Sequence, residues 1–260
     1  MTQTQPSPLY VARGGNGGRL LVFLHGLGAN SSVWSRMLPA IDKFWEGRWI
    51  APDFRGHGRS QFIGPYGFGS HAADIAALIA DEPPATVCVV GHSFGGAIGA
   101  LLGTGWFGPH VGRLFAFGVK LNWTANDIAK SHEMAGKPAR TFVTRDEAVD
   151  SYLKVSGLYG LIDARDAEAG KGVVDVSGGY QVRFDPRVYG AVGPAIPEIF
   201  SLVKIPFRLA AGALDSMVSA ADMRAIDKNA VVFRESGHNV HYEQPEMLWE
   251  AIAGELKATS

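Results

Sequence analysis

The sequence predicts an α/β fold, in which a mostly parallel central sheet is flanked by helices. Short apolar runs typical of buried strands alternate along the chain with segments of helical spacing. Three residues that can carry chemistry, Ser93, Asp215 and His238, each stand just beyond the end of one such run. The chain of 260 residues is long enough for one sizeable core. Together these observations favour an open sheet with a site at the edge where its strands end.

The hydrophobic pattern of residues 9–84 predicts the first strands and helices. Apolar runs are assigned to strands, and apolar residues that recur at helical spacing are assigned to helices. The predicted order is a short strand at 9–12, a glycine-rich turn at 14–18, a strand at 20–24, a helix at 33–44, a brief strand at 49–51 and a helix at 71–80. Pro83 and Pro84 then end that helix.

A strand, a sharp turn and a helix are predicted around Ser93. The apolar run 86–90 leads into Gly91-His92-Ser93-Phe94-Gly95-Gly96, and small residues follow at 97–102. Glycines at 91 and 95 suit a strand that reverses straight into a helix, because backbone then packs against backbone. The turn holds Ser93 out at its apex, where the first N–H groups of the helix favour developing negative charge. This arrangement suits a nucleophile.

The later strands add a carboxylate and a base. After a strand predicted at 113–119, the apolar run 205–211 ends in Gly212-Ala213-Leu214-Asp215, and the run 230–233 ends in Glu235-Ser236-Gly237-His238. Loops past the carboxyl ends of parallel strands share one edge of the sheet, so Asp215 and His238 are expected at the edge that carries Ser93. A serine hydroxyl alone is a poor nucleophile, and a neighbouring base activates it.

Several motifs in one order resemble the α/β-hydrolase family over nearly the whole chain. They are Leu24-His25-Gly26-Leu27-Gly28 with Trp34 after it, Asp53-Phe54-Arg55-Gly56-His57-Gly58-Arg59-Ser60, the turn at Ser93, and Gly237-His238 followed by Glu243-Gln244-Pro245-Glu246. The chain order Ser93, Asp215, His238 is also the order of the family's catalytic triad. The resemblance implies a member with a serine nucleophile, similar to esterases and lactonases. It also implies an oxyanion hole made by the backbone N–H groups of Leu27 and Phe94.

Residues 121–202 break the alternation of strands and helices. By the resemblance, we expect them to form a mainly helical cap inserted after the sixth strand, with the hydrolase core at 1–120 and 203–260. Family members usually carry two antiparallel strands before the oxyanion loop, whereas this chain has room for one. Within the cap, Thr144-Arg145-Asp146-Glu147 has the spacing of a capping box. Ser177-Gly178-Gly179 is predicted as the turn of a small hairpin between 173–176 and 180–184.

The cap also carries side chains that can line a pocket above Ser93. They are Trp123, Met134, Phe142, Tyr152, Tyr159, Tyr180 and Tyr189, and of these Trp123 is predicted to line the substrate pocket. Most of these side chains are expected to pack within the cap itself. An acidic substrate would need an arginine in the pocket, and the cap offers Arg140, Arg145, Arg165 and Arg183.

Composition narrows the expected partners to a small-molecule substrate, neutral or weakly charged. A net charge of -1 gives no electrostatic reason to expect nucleic acid or an anionic membrane. No apolar run is long enough to cross a bilayer, and residues 1–8 lack the features of a secretion signal, so a cytoplasmic location is expected. No metal-ligand spacing or cofactor fingerprint is found, so neither metal nor cofactor is predicted. The single Cys88 is expected to pack in the core, and a homodimer is left open.

Each site residue has a competitor in the sequence. Ser93 could simply cap the helix that follows it, since serine is favoured there. His241 is the rival of His238 as base, although the position directly after Gly237 favours His238. Asp53, in an arginine-containing turn, is expected to be a structural hydrogen-bonding partner. Structural roles are likewise expected for His25 and His57 in glycine-rich turns, while Asp222 and Asp227 lie too far along the chain to share the loop of Asp215.

The leading hypothesis is a serine hydrolase that cleaves a carboxylic ester, lactone or thioester through an acyl-enzyme. Alternatives with the same triad are hydrolysis of a carbon-carbon bond in products of aromatic ring cleavage and cofactor-free perhydrolysis. A slow-turnover receptor for a small molecule is the alternative from another class. Haloalkane dehalogenases and epoxide hydrolases of this family use an aspartate at the nucleophile turn, so Ser93 excludes their chemistry.

Overall fold

The computed structural model describes residues 8–193 and 195–257. The strands of this part of the chain are β1 Val11–Gly15, β2 Leu20–Leu24, β3 Arg48–Pro52, β4 Val87–His92, β5 Arg113–Phe117, β6 Thr141–Phe142, β7 Val173–Val176, β8 Gly179–Val182, β9 Phe207–Gly212 and β10 Val231–Phe233. Seven of these described strands form the central sheet in the order β1-β3-β2-β4-β5-β9-β10. Only the edge strand β1 runs antiparallel to its neighbour, so the predicted, mostly parallel sheet is confirmed.

Helices connect the strands and flank the sheet. They are α1 Leu38–Phe44, α2 Phe68–Leu78, α3 Phe94–Gly103, α4 Ala125–Ala135, α5 Arg145–Val155, α6 Ala167–Gly170, α7 Ile196–Ser201, α8 Ala220–Ile226, α9 Val240–Glu243 and α10 Pro245–Lys257, with short 3-10 turns at Ser31–Trp34, Pro84–Thr86 and Pro186–Ala191. None of the described helices combines the length and the apolar character needed to cross a membrane. Residues 1–7 of the polar N-terminal segment lie outside the described residues.

The central strands are buried on both faces, which explains why they appear as unbroken apolar runs. Along β2, Val22 and Leu24 pack into the core on one side of the sheet, whereas Leu21 and Phe23 pack into the core on the other. Cys88 in β4 is buried, and its burial raises the pKa of the thiol to about 12. The expected packing role of Cys88 agrees with this position.

Two early elements differ from the sequence prediction. The single helix predicted at 33–44 is divided into the turn Ser31–Trp34 and α1, because Pro39 lacks an N–H group and occupies the first turn of a new helix. The strand predicted at 9–12 lies instead at β1, where Gly14 and Gly15 pair with β3. Pairing with a neighbouring strand thus outweighs the preference of these glycines for a turn.

The chain between β5 and β9 is mainly helical and also carries a three-stranded sheet in the order β6-β8-β7. Helix α5 begins with the predicted capping box, in which Thr144 and Glu147 each accept the other's backbone N–H. The predicted hairpin forms β7 and β8 around a two-residue turn, since Gly179 already belongs to β8. This stretch follows the fifth strand of the chain because one strand, β1, precedes β2 in the described residues. Its division from the core as a cap domain stays a prediction.

Candidate active site

Ser93 occupies a strained turn between β4 and α3. Its backbone has φ 52° and ψ -114°, and it is the only non-glycine residue with positive φ among those described. Such a conformation costs on the order of 1–3 kcal/mol and persists only where the surroundings enforce it. Here the Ser93 N–H donates to the carbonyl oxygen of Phe117 at 2.8 Å, which ties the turn to β5. The Ser93 side chain accepts no N–H from α3, so Ser93 does not cap this helix through its hydroxyl.

Glycine is required on both sides of this turn. A Cβ at Gly91 would lie 2.6 Å from the carbonyl oxygen of Gly95 and from the Cα of Gly96. A Cβ at Gly95 would overlap the carbonyl group of Leu24 in β2. Contacts this short are between backbone atoms, which cannot move aside as a side chain can. The close approach predicted from the sequence therefore accounts for both glycines.

Asp215 and His238 are paired by a hydrogen bond at the carboxyl end of the sheet. Asp215 follows β9 and His238 follows β10, and His238 Nδ1 lies 2.7 Å from Asp215 Oδ2. The other carboxylate oxygen of Asp215 accepts the N–H of Met217 at 2.9 Å. The Asp215 side chain is 1% exposed and that of His238 is 19% exposed. A neutral His238 that donates from Nδ1 has Nε2 left as its proton acceptor.

Ser93 and His238 line one cavity of about 320 Å³, together with Leu27 and Phe94. In the described part of the chain, the Ser93 hydroxyl and the His238 ring are not hydrogen-bonded to each other. Hydrogen bonds between a candidate nucleophile and its candidate base are often long or poorly aligned in a structure without substrate. The backbone N–H groups of Leu27 and Phe94 donate to no acceptor among the described residues. Two free N–H donors, a hydroxyl and an imidazole thus meet at one cavity.

The loop that carries Leu27 is held in place by two buried histidines. His25 accepts the N–H of Phe54 at 3.0 Å and donates from Nδ1 to the carbonyl oxygen of Gly26 at 2.8 Å. His57 accepts the N–H of Gly28 at 3.1 Å. Burial lowers the pKa of both histidines, which keeps their rings neutral and able to accept. Their structural roles are those expected from the sequence.

Comparison with known proteins places the chain in a family. The family model described as "Alpha/beta hydrolase family" matches residues 21–251. The chain belongs to the alpha/beta hydrolase family. The resemblance drawn from the motifs is therefore confirmed.

Individual relatives of this α/β-hydrolase match over shorter stretches. Lipase LipV of Mycobacterium tuberculosis is 37% identical over 94 residues, which is 35% of this chain and 34% of that protein. Protein phosphatase methylesterase 1 of Homo sapiens is 28% identical over 177 residues, which is 65% of this chain and 45% of that protein. The chain thus spans between a third and a half of the length of these curated relatives. A crystal structure of E-2-(acetamidomethylene)succinate hydrolase aligns with a TM-score of 0.79 at 23% identity, covering 96% of this chain and 95% of that one, and supports the fold.

The competing acids of this α/β-hydrolase are engaged elsewhere. Asp53 accepts the N–H of Ser31 at 2.6 Å and that of Arg59 at 2.8 Å, which agrees with its expected structural role. Asp222 accepts from the side chain of Asn122, and Asp227 pairs with Arg208. Asp215 is thus the carboxylate that the fold brings to His238.

The rival base His241 is buried beneath the site. Its ring packs 4.6 Å from that of His92 and 5.0 Å from that of Trp34, measured between ring centroids. Neither ring nitrogen of His241 has a hydrogen-bond partner among the described residues. Burial lowers the pKa of His241 to about 3. The hydrogen bond to Asp215 therefore distinguishes His238 from His241.

Two residues that position the His238 loop were missed by the sequence analysis. His92 donates from Nε2 to the carbonyl oxygen of His238 at 3.0 Å. Glu243 accepts the N–H of Gly237 at 2.5 Å. Glu243 stands in the motif that follows His238, but that motif alone does not indicate its contact with Gly237. The contact of His92 joins β4 to a loop almost 150 residues later, and no local pattern indicates it.

The cavity wall contains some of the residues expected from the sequence and lacks others. Trp123 lines the cavity, and of the other six aromatic or apolar candidates only Tyr189 does so among the described residues. None of the four arginines suggested for an acidic substrate lines it: Arg140, Arg145, Arg165 and Arg183. Lys120 and Lys154 line it instead. Lys120 could have been noticed, since it follows a predicted strand at the edge that carries Ser93. No three described His, Cys, Asp or Glu side chains are grouped so as to hold a metal ion.

Buried neutral histidines predict a loss of stability in mild acid. Burial lowers the folded-state pKa of His57, His71, His92 and His241, with His71 at about 3. Because an exposed histidine titrates near 6.5, the unfolded chain binds protons below that pH which the folded chain excludes. Each such histidine therefore lowers the free energy of unfolding by about 1.4 kcal/mol per pH unit as the pH falls from 6.5 towards the folded-state pKa.

Urea unfolding of wild type, His71→Leu and His132→Leu at pH 7, 6 and 5 checks this expectation. His71 is fully buried, whereas His132 is exposed on α4 and serves as the matched control. We expect the pH dependence of the unfolding free energy to become shallower in His71→Leu and to stay that of the wild type in His132→Leu. An unchanged slope in His71→Leu would mean that this histidine accepts a proton in the folded state.

Proposed function

We propose that this α/β-hydrolase is a serine hydrolase that cleaves a carboxylic ester, lactone or thioester of small to medium size. The observation that carries the proposal is the strained backbone of Ser93, which makes no capping bond and opens onto the cavity that His238 also lines. The Asp215 and His238 pair at 2.7 Å adds the activated base that a serine needs. The lipase and methylesterase relatives support an ester as the bond cleaved.

In the acylation half of the proposed reaction, Ser93 Oγ attacks the carbonyl carbon. Its proton passes to His238 Nε2, and Asp215 stabilises the imidazolium that results. The negative charge on the carbonyl oxygen is met by the N–H groups of Leu27 and Phe94. When the tetrahedral intermediate collapses, the bond to the leaving alcohol or thiol breaks and His238 gives the proton to the oxygen or sulfur atom that leaves. The product is an ester between Ser93 and the acyl group.

Water completes the reaction by the same steps. His238 takes a proton from water, whose oxygen attacks the acyl carbon, and the same two N–H groups stabilise the second intermediate. The bond to Ser93 Oγ then breaks, and His238 returns the proton to the serine. Every atom and charge is accounted for by substrate, water and these residues, so the proposed reaction needs no cofactor.

A covalent probe tests the nucleophile directly. A fluorophosphonate reacts with an activated serine and adds a phosphonyl group, which is located by mass spectrometry of peptides. We expect one adduct per chain, on Ser93, and none after the protein has been unfolded in urea. Ser156→Ala is the matched control, because Ser156 lines the same cavity and its hydroxyl donates to the carbonyl oxygen of Leu153. Labelling should persist in Ser156→Ala and be absent in Ser93→Ala. An adduct on Ser156 would reject the proposed nucleophile.

A further inference from the structure

The cavity at Ser93 has an asymmetric charge. Lys120 and Lys154 are its cationic lining residues, and no carboxylate lines it among the residues that the structure describes. Much of the remaining wall is apolar and includes Leu27, Val119, Val155 and Ile196. A partly enclosed apolar space strengthens the field of a charge at its wall to the extent that water is excluded from it. Such a cavity favours a ligand with a hydrocarbon body and a negative charge.

Lys120 is held near the cavity by the fold. It lies three residues past β5, and its side chain is 23% exposed. Its Nζ is 2.9 Å from Asp127 Oδ2 and 4.7 Å from the centre of the Trp123 ring. The Asp127 carboxylate also accepts the N–H and the hydroxyl of Thr124 as part of the capping box of α4. Asp127 therefore keeps its place in α4 without Lys120. The Lys120 ammonium has three N–H donors, so it can bind a second carboxylate while it pairs with Asp127.

Lys154 offers a second, more mobile cation. It lies in the last turn of α5, and its side chain is 59% exposed. Its partner, Asp150, lies one turn earlier on the same helix, with Nζ and Oδ2 3.2 Å apart. Exposed pairs of this kind are weak, and a lysine side chain has many rotamers. A ligand carboxylate can thus replace Asp150 at little cost.

We propose that the substrate is an ester that carries a carboxylate at the end remote from the ester bond, bound by Lys120 and Lys154. The hydrocarbon segment between the two groups lies along the apolar wall. This inference rests on the proposed hydrolase function, because it names the substrate class of the same site. The carboxylate-binding role that the sequence suggested for an arginine is thus assigned to two lysines, which lie on different elements.

Paired esters test this preference. Monomethyl glutarate, adipate and suberate are compared with methyl pentanoate, hexanoate and octanoate, and acetates of ω-hydroxy acids are compared with alkyl acetates of equal length. Acid release is followed in a pH-stat at low ionic strength. We expect kcat/KM to be about tenfold higher for the acidic member of the better series, chiefly through a lower KM. The preference should shrink at 0.5 M salt because salt screens the attraction. The two series show whether the acyl group or the alcohol carries the carboxylate.

Lysine variants show whether these two cations cause the preference. Lys120→Met and Lys154→Met keep most of the side-chain volume, and each is expected to lower kcat/KM for the acidic ester about three- to tenfold. In each variant the loss should be larger for the acidic ester than for the neutral ester of equal length, so that the ratio of the two kcat/KM values falls. Lys130→Met removes the same charge from an exposed position of α4 outside the cavity, and should change neither rate.

Two results would overturn the inference. Wild type could hydrolyse neutral esters as fast as acidic ones in both series, or the lysine variants could lose activity on both kinds of ester equally. In either case the hydrolase function would stand, because the neutral esters are still cleaved. If neither series is hydrolysed faster than by Ser93→Ala, the proposed function fails, and the inference fails with it.

Discussion

Ser93→Ala is expected to lower kcat/KM for a short-chain 4-nitrophenyl ester by about 10⁴- to 10⁶-fold, with the fold retained. Without Oγ no acyl-enzyme forms, and only the two backbone N–H groups and substrate binding remain to assist attack by water. The release of nitrophenol under steady-state conditions measures the loss. Ser156→Ala, which removes a hydroxyl from the same cavity, should stay within about tenfold of wild type.

The expectation that Ser93→Ala folds follows from the same geometry. The turn is held by the Ser93 N–H bond to Phe117 and by backbone packing at Gly91 and Gly95, and none of these contacts involves the serine hydroxyl. Thermal unfolding should therefore have the same midpoint as wild type within about 2 °C. If Ser93→Ala is folded and still turns over at a tenth of the wild-type rate, the nucleophile is another residue. If wild type binds a ligand tightly while its turnover equals that of Ser93→Ala, the receptor alternative is favoured.

The sheet and its edge were predictable because their signals are local. An unbroken apolar run such as β2 or β4 indicates a strand buried on both faces, and the structure packs alternate residues of β2 into opposite cores. The need for glycine at 91 and 95 follows from a strand that turns straight into a helix. Once strands are parallel, the loops after β9 and β10 must lie at the edge that carries Ser93. Fold and site position therefore follow from short patterns.

The cavity wall was less predictable because it depends on how distant segments pack. Tyr152 and Trp123 look equivalent in the sequence, yet Tyr152 is buried in the core and Trp123 lines the cavity. Arg145 and Arg183 lie along another groove, whereas Lys120 and Lys154 reach the cavity. The directions of these side chains are set by the packing of α4, α5 and the small sheet. No periodicity in the sequence encodes those contacts.

His238→Ala is expected to reduce kcat/KM for the same ester by about as much as Ser93→Ala, and the double variant to lose little more. A serine without its base remains protonated, so removal of either residue ends the same step. Asp215→Asn should cost less, about 10³- to 10⁴-fold, because the serine and the imidazole remain but His238 loses the carboxylate that fixes its tautomer. Steady-state rates of the three single variants and the double variant, each checked for folding, give the comparison.

His241→Gln is the matched control for the base, since His241 is the rival in the sequence and has no carboxylate beside it among the described residues. The folded His241→Gln variant should keep kcat/KM within about tenfold of wild type. The decisive quantity is the coupling between Ser93 and His238. If the factors by which Ser93→Ala and His238→Ala lower kcat/KM multiply in the double variant, the two residues act independently. His238 then cannot be the group that takes the serine proton. If the losses do not multiply, serine and imidazole work as one unit, as the proposed reaction requires.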